Sequence, residues 1–424
     1  MGTVLRDVRR FDHPGLVSIR IADGVIDRIG EPDASWPTGD NIIEARGRLA
    51  IPGLVNAHTH LPMVLLRGLA DEVPLSVWLE RHVWPIERAL EPDDVYWCSL
   101  LALAESIRCG VVAVADMYFH SDAVARAASE SGLRALLSYG MVAPSLSEGG
   151  EAELEKAARF AATWHGKAEG RIAVAVSPHA VYTCGDDVWR GAASLAAERG
   201  LMLHTHLSET RDEVDAWRQK TGLTPPAYLE SLGVLAVPTL AAHCVHVDAA
   251  DIGILARNGV RVAHCPKSNA KLGSGIAPIR AMRDKGVRVA LGTDGAASND
   301  RLDVLEELRF ACLVARAQSE DAQSLSSRDA VSLATTEGRL ALNLPRANVE
   351  PGDPADLVLI DVEGSHAAPP HDARSTLVFA SQASDVTDVF VGGRPLLRDR
   401  QLLTIDEERV QSEVACLAKR LRRD

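Results

Sequence analysis

Two histidines one residue apart, His58-Thr59-His60, close an apolar run, Ile51-Pro52-Gly53-Leu54-Val55-Asn56-Ala57. If that run is a strand, residues i and i+2 share a face, and both imidazoles can reach one metal ion. A His-x-His pair also arises on surfaces by chance. Here it has distant counterparts, His206, His243 and Asp294, each ending another apolar run. Nitrogen and carboxylate donors suit a borderline cation such as zinc, and a catalytic site leaves one position for water. His58, His60, His206 and Asp294 are the candidate ligands. His204 shares the face of His206 but lies deeper in its strand, which fits a supporting role. An isolated Asp294 in Gly292-Thr293-Asp294-Gly295 would read as a helix cap or Asx turn; beside three histidines it reads as a ligand.

Glu209, in His206-Leu207-Ser208-Glu209, is placed to reach both a metal-activated water and a substrate. Alone it would read as a first-turn glutamate complementing a helix dipole. His243, in Ala241-Ala242-His243-Cys244, would alone read as a core histidine. Strand 4 ends in Ser177-Pro178-His179 without the lysine that two-metal barrels commonly carboxylate, so one metal is expected rather than two.

The elements that must position these residues alternate. Strand-like runs at 51–56, 111–115, 133–138, 172–177, 201–205, 239–242, 260–263 and 287–292 are interleaved with helical patterns such as 95–108, 152–165, 188–199 and 252–258. Eight strand–helix units predict an α/β fold, a (β/α)8 TIM barrel, whose chemistry sits at the C-terminal strand ends. His58, His60, Asp116, Tyr139, His179, His206, His243, His264 and Asp294 all fall there. The flanks instead show short strands and turns: 17–21 and 25–29 around Ala22-Asp23-Gly24, then 356–360, 386–391 and 395–398 around Gly392-Gly393. The expected organisation is a catalytic barrel over 51–349 and a small β-sandwich built from 1–50 plus 350–424, with a charged helix over 406–422.

The 424 residues are 46% hydrophobic and 24% charged, as in ordinary globular proteins. A net charge of -13 argues against nucleic acid as a partner. Seven cysteines without a Cys-x-x-Cys read as buried reduced thiols. No apolar run has membrane-spanning length and the first residues carry no signal-like core. A cytoplasmic enzyme with a small-molecule substrate and no membrane partner is expected.

The motifs together resemble the amidohydrolase superfamily, and within it the 5′-methylthioadenosine/S-adenosylhomocysteine deaminases, relatives of triazine chlorohydrolases and guanine deaminases. The resemblance covers nearly the whole chain. It rests on residues 52–60, Asp116-Met117-Tyr118-Phe119-His120, Pro178-His179 with Tyr182 and Cys184, His206-Leu207-Ser208-Glu209-Thr210, Ala242-His243-Cys244, Ser268-Asn269-Ala270-Lys271-Leu272-Gly273 and Gly292-Thr293-Asp294-Gly295. It implies a mononuclear zinc site, with iron or manganese as alternatives, and a homodimer or homotetramer. It also implies hydrolytic deamination of an adenine nucleoside, in which Asp294 takes a proton from water, Glu209 protonates ring nitrogen N1 and His243 holds the nucleophile. Trp78, Glu87, His179 and Glu209 match substrate positions, with Glu87 gripping the ribose hydroxyls. The two arginines that hold the S-adenosylhomocysteine carboxylate in relatives correspond to Tyr139, expected beside the substrate, and to a position near Glu151. A neutral 5′ group, as in methylthioadenosine, 5′-deoxyadenosine or adenosine, is therefore expected to be preferred. The alternative is a deaminase or chlorohydrolase of another nitrogen heterocycle (guanine, a pterin, a triazine or aminodeoxyfutalosine).

Overall fold

Two β-sheets organise the chain in a computed structural model that describes residues 2–69, 72–73, 75–369 and 371–421. Strands β1 (Thr3–Arg10), β2 (His13–Ala22), β3 (Val25–Gly30), β4 (Asn41–Glu44) and β5 (Arg48–Pro52) come first. The next eight are β6 (Leu54–Thr59), β7 (Val111–Tyr118), β8 (Arg134–Met141), β9 (Ile172–Pro178), β10 (Leu203–Leu207), β11 (Thr239–His243), β12 (Arg261–His264) and β13 (Arg288–Leu291). The last are β14 (Leu357–Asp361), β15 (Val386–Val391), β16 (Arg394–Arg398) and β17 (Gln401–Leu402).

Strands β6 to β13 lie side by side in sequence order, each parallel to the next. The sheet nearly closes into a barrel: just past β13, the Asp294 amide donates to the His58 carbonyl at 2.9 Å. Gly292 makes that approach possible, because a Cβ there would lie 2.8 Å from the His58 nitrogen. Helices pack on the outer face of the sheet and its inner face is closed on itself, so the strands are buried on both faces and their sequences read as continuous apolar runs; all eight residues of β7 are buried. Helix Pro92–Arg108 shows how the connections are specified. Proline occupies its first position, Glu91 and Asp94 form a capping box, and Val95, Leu103 and Ile107 face inward.

The apolar run before His58 is two strands rather than one. Residues 48–52 belong to the terminal sheet and 54–59 to the barrel, with Gly53 between them. A Cβ on Gly53 would sit 2.3 Å from a Val112 methyl, so only glycine lets the chain cross there.

The terminal sheet runs β17-β16-β15-β14-β5-β1-β2-β3, with β4 alongside β1. Its halves join at a single pair, Arg9 with Leu49. Leu5, Ile19 and Ile26 from one half and Ala50, Leu357 and Phe390 from the other share a core separate from that of the barrel. Strand β1 is central, although charged residues hide it in the sequence; Asp7 adopts a left-handed φ of 59° where its ladder with β2 shifts. Helix Glu407–Leu421 closes the described chain. It packs on the barrel, through Val410, Val414 and Leu417 and through ion pairs Arg108–Glu407 and Arg420–Asp94. Met1 and the residues from Arg422 onward, which the expected organisation included, lie outside the described residues. Helices Val304–Ser319, Ser327–Ala334 and Thr336–Ala341 fill the stretch after β13 that the sequence pattern left unassigned. No described helix is long and apolar enough to cross a membrane, and all seven cysteines are free, only Cys416 being exposed.

Candidate active site

The barrel's C-terminal strand ends converge on four side chains. His58 and His60 come from the end of β6, His206 from β10 and Asp294 from the turn after β13; one ligand atom from each lies within 4.8 Å of every other. His60 Nε2 is 3.2 Å from His206 Nε2 and 3.2 Å from Asp294 Oδ1, and His58 Nε2 is 3.5 Å from the same oxygen.

Hydrogen bonding fixes which nitrogen each histidine offers. His60 Nδ1–H donates to the Met117 carbonyl (2.6 Å) and His206 Nδ1–H to the His179 carbonyl (3.2 Å), so both turn Nε2 toward the cluster. Ser138 donates its hydroxyl to the Asp116 carbonyl and therefore accepts from His204 Nδ1–H (3.1 Å). His204 Nε2 is then an acceptor for His58 Nδ1–H (2.9 Å), and His58 Nε2 is left buried without a hydrogen-bond partner among the described residues. His204 thus orients His58 and turns no free nitrogen to the cluster, an arrangement like that behind metal-bound histidine. Ser268 and Ser298 each donate to Asp294 Oδ2 at 2.7 Å, leaving Oδ1 for the cluster. Asp294 holds a left-handed φ of 61°, a strained conformation for a non-glycine residue. Three imidazole nitrogens and a carboxylate oxygen aimed at one point, with an orphaned buried Nε2 among them, fit a divalent cation.

Electrostatics agree. Burial pushes the His58 pKa down to about 3 and those of His204 and His206 well below the ordinary histidine value, so all three stay neutral. Burial works the same way on His60, but the hydrogen bond and charge of Asp294 outweigh it and hold His60 up at about 9. Burial alone would raise Asp294; the neighbouring His58 and His60 imidazoles keep it well below the carboxylate range. The metal-free site therefore holds one proton below pH 9, and a cation must displace it. Zinc affinity, measured by chelator competition, is expected to fall about tenfold for each pH unit between 8 and 6. Constant affinity across that window would contradict the arrangement.

Beside the cluster, Glu209 and His243 face each other, with His243 Nε2 3.8 Å from Glu209 Oε2. His243 Nδ1–H donates to Asn269 Oδ1 (2.8 Å). Burial raises the Glu209 carboxyl above the ordinary glutamate value, against the pull of His243. All of these open into one cavity of about 410 Å³, whose lining includes His60, His206, Glu209, His243 and Asp294 and, of the expected substrate residues, Trp78, Glu87 and His179. Buried Trp78 donates Nε1–H to the Leu69 carbonyl (3.3 Å) and presents its ring as wall. Tyr118 donates to Glu87 Oε1 (2.7 Å), which leaves Oε2 for a ligand, and burial raises the Glu87 carboxyl. Thr183 spends its proton on the Ala180 carbonyl, so it accepts from His179 Nδ1–H and leaves His179 Nε2 as an acceptor. Tyr182 and Val142, 45% and 57% exposed, mark the mouth.

Tyr139 is placed apart from the others. Ser138 points into the barrel at His204, so strand alternation turns Tyr139 outward. Its hydroxyl donates to Glu153 (2.9 Å), and it does not line the cavity. Glu151 is exposed at the start of helix Glu151–Trp164, also outside the lining. Residues that the sequence reading left without roles include Ser138, Ser268, Asn269 and Ser298, whose hydroxyls and amide carry no periodic signal. Arg88 is another: the only arginine or lysine lining the cavity among the described residues.

This is the architecture and site of a metal-dependent hydrolase, and the chain belongs to the amidohydrolase family, whose model matches residues 49–396. Among curated relatives, the 5-methylthioadenosine/S-adenosylhomocysteine deaminase of Pelotomaculum thermopropionicum is 44% identical over 407 residues, covering 95% of this chain and 93% of that protein. Among solved structures, a zinc-bound adenosine deaminase from Xanthomonas campestris matches with a TM-score of 0.92 at 33% identity, covering 100% of this chain and 99% of the other. Atrazine chlorohydrolase from Arthrobacter aurescens, complexed with zinc, matches at 0.90 and 26% identity, over 98% and 100% of the two chains.

Proposed function

We propose that the protein is a zinc-dependent aminohydrolase that converts the 6-amino group of an adenine nucleoside to the hypoxanthine product and ammonia. The assignment carries with it a (β/α)8 barrel over 51–349 as the catalytic unit, a β-sandwich from 1–50 and 350–424, and a cytoplasmic homo-oligomer. The observation that carries it is the shared cavity: a buried carboxyl, Glu209, stands by the ligand cluster, and a second, Glu87, lines the same space with one oxygen uncommitted. The first suits an aromatic ring nitrogen and the second suits vicinal hydroxyls. The deaminase names of the relatives support the same reading.

In this reading His58, His60, His206 and Asp294 hold the cation, which supplies the Lewis acidity that eases deprotonation of water. Asp294 Oδ1 takes the proton of the attacking water, while His243 Nε2 orients that water toward C6. Glu209, whose carboxyl burial pushes up toward its protonated form, protonates N1 and makes C6 electrophilic. Glu209 then takes up the proton of the new C6 hydroxyl, which becomes the carbonyl, and passes it to the leaving amine, which departs as ammonia; the proton on Asp294 restores Glu209. Trp78 walls the base and His179 Nε2 accepts a hydrogen bond from the substrate.

For the 5′ group, neither Tyr139 nor Glu151 offers a cation to the cleft, and Leu75, Leu79, Trp84, Phe119 and Val142 give an apolar wall. A neutral substituent such as methylthio fits it. Arg88 favours a second reading, an anionic end such as the carboxylate of S-adenosylhomocysteine. Turnover of a nucleoside panel, followed by the adenine-to-hypoxanthine absorbance change, tests both. The expected result is a kcat/KM for methylthioadenosine at least tenfold above that for S-adenosylhomocysteine. Equal efficiencies would transfer the assignment to the Arg88 reading. No turnover of any nucleoside would overturn the nucleoside reading in favour of another heterocycle.

A further inference from the structure

Behind Glu209 lies a second carboxylate that touches neither the ligand cluster nor the cavity around it. Glu213 sits in the first turn of helix Arg211–Thr221, where the Thr210 hydroxyl caps its amide at 3.1 Å. In a capping box the third-position carboxylate returns to the amide of the cap residue itself. Here it reaches further back: Oε1 accepts from the Ser208 amide (3.0 Å) and Oε2 from the Glu209 amide (2.8 Å). Both oxygens are thus committed to two consecutive peptides, the second being that of the proton carrier.

Those peptides need holding. Ser208 has a left-handed φ of 50°, and so do His243 (72°) and Cys244 (48°) at the end of the neighbouring strand β11. Each such non-glycine residue costs on the order of 1–3 kcal/mol and persists only where its surroundings enforce it. The two turns are bonded to each other. The Ser208 carbonyl accepts from the amides of Val245 (3.0 Å) and His246 (2.9 Å), and the Leu207 carbonyl from that of Cys244 (2.9 Å). Ser208 is therefore a joint: its N–H is fixed by Glu213, and its C=O fixes the segment that follows His243.

We infer that Glu213 is a positioning residue for the reaction: by bridging the Ser208 and Glu209 amides it locks the strained turn that aims Glu209 and, through the Ser208 carbonyl, the loop carrying His243. This rests on the reading of Glu209 as proton carrier. A displacement of the pair by about 1 Å costs on the order of 100-fold in rate without loss of substrate affinity.

Glu213→Gln and Glu213→Ala, each compared with zinc-loaded wild type on methylthioadenosine, test it. Gln keeps one acceptor and Ala none. The expected result is a kcat lowered roughly 10-fold by Gln and roughly 100-fold by Ala, with KM within about threefold and zinc still one per chain. The pH limb assigned to Glu209 should also shift in both variants, a response that loss of folded protein alone does not produce. A kcat within twofold of wild type in both would overturn the inference. So would a fall in the Gln variant that merely tracks lost zinc or lost folded protein, which also settles the case should the Ala variant fail to fold. A wild type inert on nucleosides would instead refute the function proposed above, so the two failures are distinct.

Discussion

Glu209→Gln is expected to lower kcat by about 1000-fold while leaving zinc bound at one per chain. Gln fills the same volume and keeps an acceptor, but it cannot carry a proton to N1 or on to the amine. Positioned acid–base groups contribute about 100- to 10,000-fold, and Glu209 serves two transfers. Its carboxyl is outside the ligand cluster, which is completed by His58, His60, His206 and Asp294 alone. Burial, opposed by His243, raises its pKa, which favours the protonated form the first transfer needs; that form is depleted as pH rises. Steady-state kinetics with metal analysis check the point. A variant retaining more than a tenth of wild-type kcat would remove Glu209 from the proton path.

The second large effect concerns stability. Asp356, just before β14, is fully buried and accepts from four donors: Arg134 Nε (2.6 Å), Arg134 Nη2 (3.0 Å), Arg339 Nη1 (2.7 Å) and the Gly392 amide (2.6 Å). Arg134 opens β8 of the barrel, Arg339 lies in helix Thr336–Ala341, and Gly392 makes the turn after β15, so this carboxylate ties the two sheets together. Asp356→Ala would leave the wholly buried Arg339 guanidinium uncompensated, a change that costs about 3–5 kcal/mol against a typical total of about 5–15 kcal/mol. Urea unfolding should show that loss, and one under 1 kcal/mol would contradict it. Burial raises the Asp356 pKa, but the Arg134 bonds outweigh it and hold the carboxyl below its ordinary value. The depressed pKa makes the wild-type contribution complete above about pH 4 and progressively lost below it. The variant should therefore lose less stability than wild type on acidification.

The barrel strands and the four clustered side chains were legible because both obey short-range rules. Apolar runs such as 111–115 and 172–177 lie inside β7 and β9, and His58 and His60 fall on one face by strand period alone. What escaped was whatever depends on partners far away in sequence. Strand β1 is concealed by Arg6, Asp7, Arg9 and Arg10, which pair only after folding, as Arg6 does with Glu44 and Arg10 with Glu350. The boundary at Gly53 was invisible because the steric conflict that defines it is with Val112. Tyr139 was expected at the substrate because it falls where relatives carry a substrate-binding arginine, yet strand alternation turns it away from the side on which Ser138 faces His204. Within the site, the residues that cluster could be read, whereas the tautomer chain through His204 and Ser138 required distances. Glu213 was half visible: Thr210-x-x-Glu213 has capping-box spacing, but nothing local told that the carboxylate would bypass its own cap.

The pairing of β5 with β14 has a consequence for the making of the protein. Residues 48–52 are bonded to residues 357–361, about 300 positions later in the chain. At roughly 5–20 residues per second, the ribosome needs on the order of 15–60 s to supply the second strand after the first. During that interval the apolar edge Leu49-Ala50-Ile51 has no partner there and invites pairing with other chains. The newborn protein must therefore either be shielded or postpone its terminal sheet until synthesis is nearly complete. A chain cut short anywhere before β14 would keep that edge unpaired for good, making premature termination a greater hazard to solubility than most point substitutions in the same region.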